Sequence, residues 1–237
     1  MLSIAIEQLT KSFKSAKVLD IPKLDINAGE VFGLVGNNGA GKTTLFKLML
    51  DLIAPTTGSV SLGTIKVNEN GTWKEITGAY LDQSFLLDFL KPEEYFYFIG
   101  ESYGISKKEV MLRLERFTAF FNGEILGQKR KFIRDLSTGN KQKIGIAGVF
   151  LITPKIIILD EPFNALDPTS QMALKNLIID YHRTHEAITL VSSHDLNHIT
   201  ELCSRIALME KGTIVKDTSV NENTLYELQQ YFNTTVV

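Results

Sequence analysis

A glycine-rich segment near the N-terminus of the 237-residue chain carries the residues best suited to chemistry. It reads Gly36-Asn37-Asn38-Gly39-Ala40-Gly41-Lys42-Thr43 and matches the phosphate-binding pattern G-x-x-x-x-G-K-[ST] at every fixed position. Glycines let backbone N–H groups converge on phosphate oxygens, and side chains at those positions would obstruct the cradle. Lys42 is expected to reach the β- and γ-phosphates, and Thr43 to offer its hydroxyl to Mg²⁺. We therefore predict a site for a nucleoside triphosphate.

The sequence on either side of this loop favours the same interpretation. Residues 30–35 read as a short buried strand, and residues 43–53 carry apolar side chains at helical spacing before Pro55. A helix that begins near Gly41 would direct the positive end of its dipole at the phosphates. The alternative is a glycine-rich turn followed by a chance Lys-Thr pair. The order strand, loop, helix makes that alternative the weaker one.

A pair of carboxylates follows an apolar run at residues 156–159. Asp160 and Glu161 come directly after this run, which reads as a buried strand. Ligands of a parallel sheet lie beyond the carboxyl ends of its strands, so both carboxylates should emerge beside the glycine loop. Asp160 is expected to hold Mg²⁺, and Glu161 to act on the attacking water as general base. An acidic turn without a catalytic role is the alternative.

His194 follows another short predicted strand, at residues 190–193. An imidazole at the end of a neighbouring strand is placed to touch both the γ-phosphate and the water-activating carboxylate. A lone histidine carries no function by itself. Its place after a strand is what separates His194 from the other histidines of the chain.

A parallel sheet is needed to bring these residues together, and the order of the elements predicts one. Alternation predicts strands near the N-terminus, helical spacing dominates the middle of the chain, and helices then alternate with strands. We therefore predict an α/β fold with a parallel sheet core, an N-terminal antiparallel β subdomain and an inserted helical subdomain. The core would comprise residues 1–83 and 137–237 of a single domain, and the insert residues 84–136.

Local patterns predict several boundaries. Asn70-Gly71 is typical of a hairpin turn. Ser106 and Glu109 form a capping box, and Asp167-Pro168 is a good start for a helix that ends near His185. The helix after Ser106 would carry on or near its apolar face Leu112, Leu114, Phe117, Phe120 and Phe121. Strands are predicted at residues 3–9, 23–26, 59–62, 64–67, 156–160, 187–192 and 205–209.

The composition limits the class of protein. The net charge is −2, so no broad basic surface is available and nucleic acid is not an expected partner. No run reaches the ~18 apolar residues that a membrane-spanning helix needs. The single cysteine, Cys203, cannot form an internal disulfide and is expected to pack as a small apolar residue. A cytosolic location is predicted.

A further motif, Leu136-Ser137-Thr138-Gly139-Asn140-Lys141-Gln142-Lys143, resembles the signature motif of ABC-type ATPases, usually LSGGQ followed by basic and glutamine-rich residues. From here the resemblance covers nearly the whole chain and implies a phosphate-loop NTPase fold of the RecA-like kind that binds and hydrolyses ATP with Mg²⁺. The other matching motifs, in the family's order, are Phe13 as the aromatic that stacks on adenine, Gly36 to Thr44 as Walker A, Gln83 as the Q-loop glutamine, Asp160 and Glu161 as Walker B, Asn164-Ala165-Leu166-Asp167 as the D-loop, and His194 as the switch histidine.

Roles follow from these matches by resemblance alone. Catalytic roles are implied for Glu161, His194 and Gln83. Metal binding is implied for Thr43, Gln83 and Asp160. Contacts with ATP are implied for the whole Walker A loop including Thr44, for Phe13, for Asp167 and for the signature residues Ser137, Thr138, Gly139 and Asn140.

The signature residues stand at the start of a helix that runs toward Leu151. Such a helix start binds anions through its dipole and unpaired N–H groups, although Ser137 taken alone is only an N-cap. In the family this start binds the γ-phosphate held by the opposite subunit. The resemblance therefore implies a dimer around two ATP, a homodimer by expectation and a heterodimer as the alternative. Thr138 replaces the usual glycine and Asn140 the usual glutamine. These two replacements bear on how strongly the dimer holds ATP between its subunits.

The resemblance also implies a separate integral membrane permease that docks near the insert and holds the chain at the cytoplasmic face of the cell membrane. Aromatic residues are concentrated in the insert. Phe117, Phe120 and Phe121 are expected to pack its core. The four aromatics close after Gln83 are either docking residues or further core residues, namely Phe85, Phe89, Tyr95 and Tyr97.

Three points stay open at this stage. The LSTGN form of the signature is similar to that of bacterial exporter-type subunits, so export is the expected direction of transport. The basic cluster Lys129, Arg130, Lys131 and Arg134 predicts either a solvated face or a contact with anionic lipid. Two alternatives from other classes are a soluble ABC ATPase outside transport and an ATP-binding regulatory module with little turnover.

Overall fold

A computed structural model describes residues 2–127 and 131–235. Its strands, in chain order, are β1 (Ser3–Phe13), β2 (Ala16–Asn27), β3 (Val31–Val35), β4 (Thr57–Leu62), β5 (Ile65–Lys66), β6 (Thr77–Tyr80), β7 (Ile156–Leu159), β8 (Ile188–Ser193), β9 (Arg205–Glu210) and β10 (Thr213–Ser219). Its α-helices are α1 (Lys42–Met49), α2 (Pro92–Ser102), α3 (Lys107–Leu114), α4 (Thr118–Phe121), α5 (Thr138–Leu151), α6 (Pro168–His185), α7 (Leu196–Leu202) and α8 (Thr224–Thr235). Lys129 and Arg130 of the basic cluster lie outside the described residues.

The N-terminal strands form a four-stranded antiparallel sheet in the order β2-β1-β4-β5. Alternating apolar residues of β1 face the core, among them Ile4 and Ile6, as expected of a sheet with one solvated face. An irregularity at Gln8, which has a positive φ of 48°, puts Leu9 back on the buried side. This sheet is the predicted antiparallel β subdomain. Strands β1, β2 and β4 are longer than the sequence analysis expected, and β5 is shorter than the predicted 64–67.

The second sheet has six strands in the order β10-β9-β3-β8-β7-β6. All neighbouring pairs are parallel except β9 and β10, which are antiparallel. Every residue of β3, β7 and β8 is buried, because helices and the other sheet cover both faces. Val35 pairs with Ser193, and Leu159 pairs with Val191. The carboxyl ends of β3, β7 and β8 therefore meet at one edge, which confirms the predicted α/β core.

Helices α2, α3 and α4 fall within residues 84–136, where the insert was predicted. Phe117, Phe120 and Phe121 are buried there, and the rings of Phe96 and Phe121 lie 5.9 Å apart. The apolar face predicted after Ser106 is wrong in one position, since Leu112 is 59% exposed. Helix α3 ends at Leu114. Phe117 lies in the 3-10 turn Glu115–Phe117, and Phe120 and Phe121 lie in α4.

Two local predictions differ from the structure. Asn70-Gly71 does not form a hairpin turn: residues 71–76 form a 3-10 helix whose N-cap is Asn70, which accepts the Thr72 N–H at 2.9 Å. The side chain of Trp73 is buried in this helix and fixes it to the core. Strands β6 and β10 were missed. The four residues of β6, TGAY, lack the apolar run of β7, and β10 lies at the edge of the sheet with an alternating, half-exposed pattern.

Candidate nucleotide-binding and hydrolysis site

The glycine-rich loop connects β3 to α1, as its motif requires. Gly41 is the N-cap of α1 and has a φ of 109°, which side chains rarely adopt. A Cβ on Gly36 would lie 2.3 Å from the Met209 carbonyl oxygen, so β9 leaves no room for one. Gly39 is different: no atom lies within 4 Å of its ideal Cβ, and its φ is 83°. Glycine is thus required at Gly39 by its backbone conformation. The predicted obstruction of a bound phosphate by a side chain there stays a prediction.

Lys42, the first residue of α1, is a buried cation. Its Nζ donates to the Gly36 carbonyl at 2.6 Å and lies 3.1 Å from Oε1 of Glu161. A buried ammonium is costly unless it is paired, and here its partners are the loop itself and the carboxylate after β7. The positive charge is thus held inside the loop whose backbone amides are arranged to bind an anion.

The carboxylate of Asp160 accepts hydrogen bonds from two hydroxyl groups. Its Oδ2 accepts from Thr43 Oγ1 at 2.5 Å, and its Oδ1 accepts from Ser192 Oγ at 2.5 Å. Burial raises the pKa of Asp160 above its usual range, although both hydrogen bonds act in the opposite direction. Thr43 and Asp160 together present the hard oxygen donors that Mg²⁺ prefers. No cluster of three or more His, Cys, Asp or Glu is found among the described residues, so other ligands would come from phosphate and water.

Glu161 is held from three sides. Its backbone has a φ of 47°, and its N–H donates to Ser192 Oγ at 2.8 Å. His194 Nδ1 lies 2.9 Å from Glu161 Oε2, and the His194 N–H donates to the same oxygen at 3.3 Å. The structure therefore brings together Lys42, Glu161 and His194. Ser192 was missed by the sequence analysis, although it precedes His194 by two positions at the end of β8.

Gln83 contacts the signature helix. Its Nε2 donates to the Thr138 carbonyl at 3.1 Å. Gln83 also lines a cavity of about 390 Å³ together with Asp160 and Glu161. Gln83 is thus placed between the carboxylates and the start of α5. Its predicted role as a metal ligand stays a prediction.

Phe13 lies at the end of β1 and is 52% exposed. It lines a cavity of about 290 Å³ together with Lys42 and the glycine loop, including Asn38, Gly39, Ala40, Gly41, Thr43 and Thr44. The Lys11 ammonium lies 4.9 Å from the centroid of its ring and contributes a cation–π contact. An exposed aromatic ring beside a phosphate loop is suited to stack on a nucleobase.

The signature residues start α5, away from the glycine loop of the same chain. Ser137 is the N-cap, with its Oγ accepting from the Asn140 N–H at 3.2 Å, and Thr138 is exposed. A Cβ on Gly139 would lie 2.6 Å from the Ala165 carbonyl oxygen, so glycine allows α5 to approach the D-loop. None of residues 137–140, all of them described, lines the cavity of the glycine loop.

Asp167 caps α6. Its carboxylate accepts from the Ser170 N–H at 3.0 Å and lies 3.8 Å from Lys143 Nζ. The hydrogen bonds from Ser170 lower its pKa below the usual range. This confirms the predicted start of α6, whereas the predicted contact of Asp167 with ATP stays a prediction.

A buried lysine in a glycine loop, an adjacent Thr–Asp oxygen pair and a Glu–His pair at the ends of parallel strands define a phosphate-loop nucleoside triphosphatase. Comparison with known proteins narrows this class. The family model described as ABC transporter matches residues 19–164. YhaQ, an ABC transporter ATP-binding protein of Bacillus subtilis, is 34% identical over 219 residues, which cover 92% of this chain and 72% of YhaQ.

Further relatives and solved structures agree. The bacitracin transport ATP-binding protein BcrA of Enterococcus faecalis is 32% identical, covering 92% of this chain and 70% of BcrA. The methionine import ATP-binding protein MetN of Geobacillus kaustophilus is 30% identical, covering 92% of this chain and 66% of MetN. A solved ATP-binding subunit of an ABC transporter superposes with a TM-score of 0.82 at 25% identity, covering 100% of this chain and 95% of that subunit. The chain therefore belongs to the ABC transporter family, as an ATP-binding subunit that hydrolyses ATP.

Proposed function

We propose that this subunit works as a dimer that encloses two ATP and drives a separate membrane permease in the direction of export. The observation that carries the catalytic part is the chain of contacts from Lys42 through Glu161 to His194. It places a carboxylate, a buried cation and an imidazole at the ends of β3, β7 and β8, where a triphosphate bound to the glycine loop would end.

Each residue has a task in this proposal. Glu161 accepts a proton from the attacking water, and His194 orients the carboxylate through Nδ1. Lys42 binds the β- and γ-phosphate oxygens and stabilises their charge. Thr43 and Asp160 would hold Mg²⁺, with Gln83 as a further ligand, and the ion would supply charge neutralisation at the phosphates.

The dimer is supported by the position of the signature residues. The start of α5 offers unpaired backbone N–H groups and a dipole, yet it does not line the glycine-loop cavity of its own chain. A second copy would bring Ser137, Gly139 and Asn140 to the γ-phosphate, and Asp167 to the same interface. Thr138 is exposed at the same helix start.

The permease is supported by exposed aromatic side chains close after Gln83. Phe85 is 55% exposed and Phe89 58% exposed, and both lie at the start of the predicted insert, directly after Gln83. Tyr95 and Tyr97 are half-buried and pack against the core. Large exposed rings of this kind mark protein contacts. Binding to a permease would place the chain at the cytoplasmic face of the membrane; among the described helices none is long and apolar enough to cross one.

The direction of transport rests on the LSTGN form of the signature. The relatives do not decide it, since BcrA is named for transport of bacitracin and MetN for import of methionine. The test is co-expression with candidate permeases, followed by ATP-driven accumulation of substrate in inside-out vesicles. Accumulation inside such vesicles supports export, and no co-purifying membrane protein would favour the alternative of an ABC ATPase outside transport.

Dimerisation is tested separately by ATPase activity against protein concentration. A dimeric enzyme loses specific activity on dilution, because each site needs residues of both copies. Lys42→Ala is the control that abolishes triphosphate binding. Specific activity that stays constant down to nanomolar protein would contradict the dimer, and negligible turnover at every concentration would favour the regulatory alternative.

A further inference from the structure

The first turns of α5, the helix that starts at the signature residues, are hydrogen-bonded to the loop that carries Glu161 in the same chain. Gln142 lies on the second turn of α5 and is buried. Its Nε2 donates to the Pro162 carbonyl at 2.5 Å, and it lines the cavity shared by Asp160 and Glu161. Pro162 has no N–H of its own, so this carbonyl is the hydrogen-bonding group of the residue directly after Glu161.

The Glu161–Pro162 segment is thereby bonded at both ends. Ser192 Oγ accepts the Glu161 N–H at 2.8 Å, and Gln142 donates to the Pro162 carbonyl. Glu161 lies in the left-handed region with a φ of 47°, which costs a non-glycine residue free energy unless neighbouring contacts hold it there. Gln142 supplies one of those contacts from a buried position, where an unpaired carbonyl would be costly.

Two further contacts join the same helix to the far end of the loop. Gly139 allows α5 to pack against the Ala165 carbonyl. The buried ammonium of Lys143 lies 3.8 Å from Asp167 and 3.6 Å from Glu124 of the insert. The segment 161–167 is thus joined to the start of α5 at both of its ends.

We propose that Gln142 is a positioning residue for Glu161, which links the signature helix of one protomer to the hydrolytic carboxylate of that same protomer. This rests on the proposed dimer, in which the start of α5 contacts the nucleotide of the partner. When α5 of one protomer contacts the nucleotide of its partner, this contact would then affect the position of Glu161 in the first protomer through the hydrogen bond between Gln142 and Pro162. In this proposal Gln142 acts through the Pro162 carbonyl and not on a reacting atom.

The test is a double-mutant cycle between Gln142 and Glu161. Gln142→Met keeps the length of the side chain and removes the donor; Gln142→Glu is a second variant that also lacks the N–H. Each should lower kcat about tenfold and change the KM for ATP less than about twofold, because substrate binding is untouched. In a Glu161→Gln background the same changes should alter the residual turnover less than about twofold, since the residue positioned is already gone.

Gln171→Met is the matched control, because Gln171 Nε2 donates to the next carbonyl of the loop, that of Phe163, at 3.1 Å from α6. Its loss of kcat should be at most about twofold. An equal loss in Gln171→Met, or an additive loss in the Glu161→Gln background, would overturn the proposal and indicate general loosening of the loop. ATP-driven dimerisation of Glu161→Gln is measured in parallel; its absence would count against the dimer, not against the role of Gln142.

Discussion

The imidazole of His194 and the carboxylate of Glu161 are joined by a 2.9 Å contact between Nδ1 and Oε2. The other oxygen of Glu161 lies 3.1 Å from the ammonium of Lys42. Because the two oxygens are held by residues after different strands, the carboxylate has one orientation, along the edge where β3, β7 and β8 end. A base fixed in this way loses little entropy when it accepts the proton of a bound water.

Glu161→Gln should lower the ATPase rate by at least about a hundredfold, within the range attributed to a general base. The amide has the same shape, so it can still contact His194, but it cannot accept the proton. Binding of ATP should persist, and closed dimers should accumulate. The measurement is steady-state phosphate release together with size-exclusion chromatography in ATP. Rapid turnover by this variant would remove Glu161 from the proposed role.

Ser192→Ala should destabilise the protein by about 1–3 kcal/mol, because the mutation removes the donor to a buried oxygen of Asp160 and the acceptor of the Glu161 N–H. It should also raise the pKa of Asp160 further, since one of the hydrogen bonds that opposes the effect of burial is lost. The measurement is urea unfolding of both proteins at several pH values.

The sign of the pH dependence follows from the raised pKa of Asp160. Its contribution to stability is fully present below the ordinary aspartate pKa of about 3.9 and is lost as the pH rises through the folded-state pKa. Ser192→Ala enlarges that loss. The difference in unfolding free energy between the two proteins should therefore be smaller near pH 4 than at pH 7, and a constant difference would contradict this account.

The glycine loop, Asp160, Glu161 and His194 could be predicted because their motifs are local and the ends of parallel strands are a shared edge. Ser192 and Gln142 could not be predicted, since each acts through hydrogen bonds to residues at least 20 positions away, and serine and glutamine are common at such places. The residues around a serine or glutamine do not indicate a hydrogen-bond partner that comes close only when the sheet folds.

The fold, like the site, could be predicted where the sequence pattern is local and unambiguous. Buried strands such as β7 have an unambiguous apolar run, whereas the edge strand β10 alternates and could equally be a loop. Asn70-Gly71 has hairpin chemistry, but burial of Trp73 and its Nε1–H bond to the Val67 carbonyl at 3.0 Å favour a 3-10 helix. Tertiary packing decided that segment, and the local preference of the turn did not.

Cys203 should resist thiol reagents in the folded protein. It is buried against β3, and burial raises the pKa of its thiol far above the ordinary value. As the pH rises through the ordinary thiol pKa near about 8.5, the unfolded chain ionises and the folded chain does not, so the free energy of unfolding should fall. Labelling at pH 8 should occur at the rate of unfolding, and fast labelling without urea would contradict the burial. In Cys203→Val the free energy of unfolding should not show this decrease at alkaline pH.

The exposed rings of Phe85 and Phe89 should be needed for binding to the permease and not for hydrolysis of ATP. Phe85→Ser combined with Phe89→Ser removes two large apolar contacts, and the loss of such anchors commonly costs more than about 2 kcal/mol of binding free energy each. Co-purification with the permease and ATP-driven transport should therefore be abolished. ATPase activity of the isolated subunit should change less than about twofold, because neither ring lines the glycine-loop cavity.

Met172→Ser is the matched control for the aromatic pair, since Met172 is 57% exposed on α6, outside the segment after Gln83. It should leave both transport and co-purification unchanged. Equal losses in Met172→Ser would show that any reduction of exposed apolar surface weakens the complex. Full transport by the Phe85/Phe89 double variant would instead place the docking surface elsewhere on the insert, among residues such as Phe98 and Met111, which are also exposed.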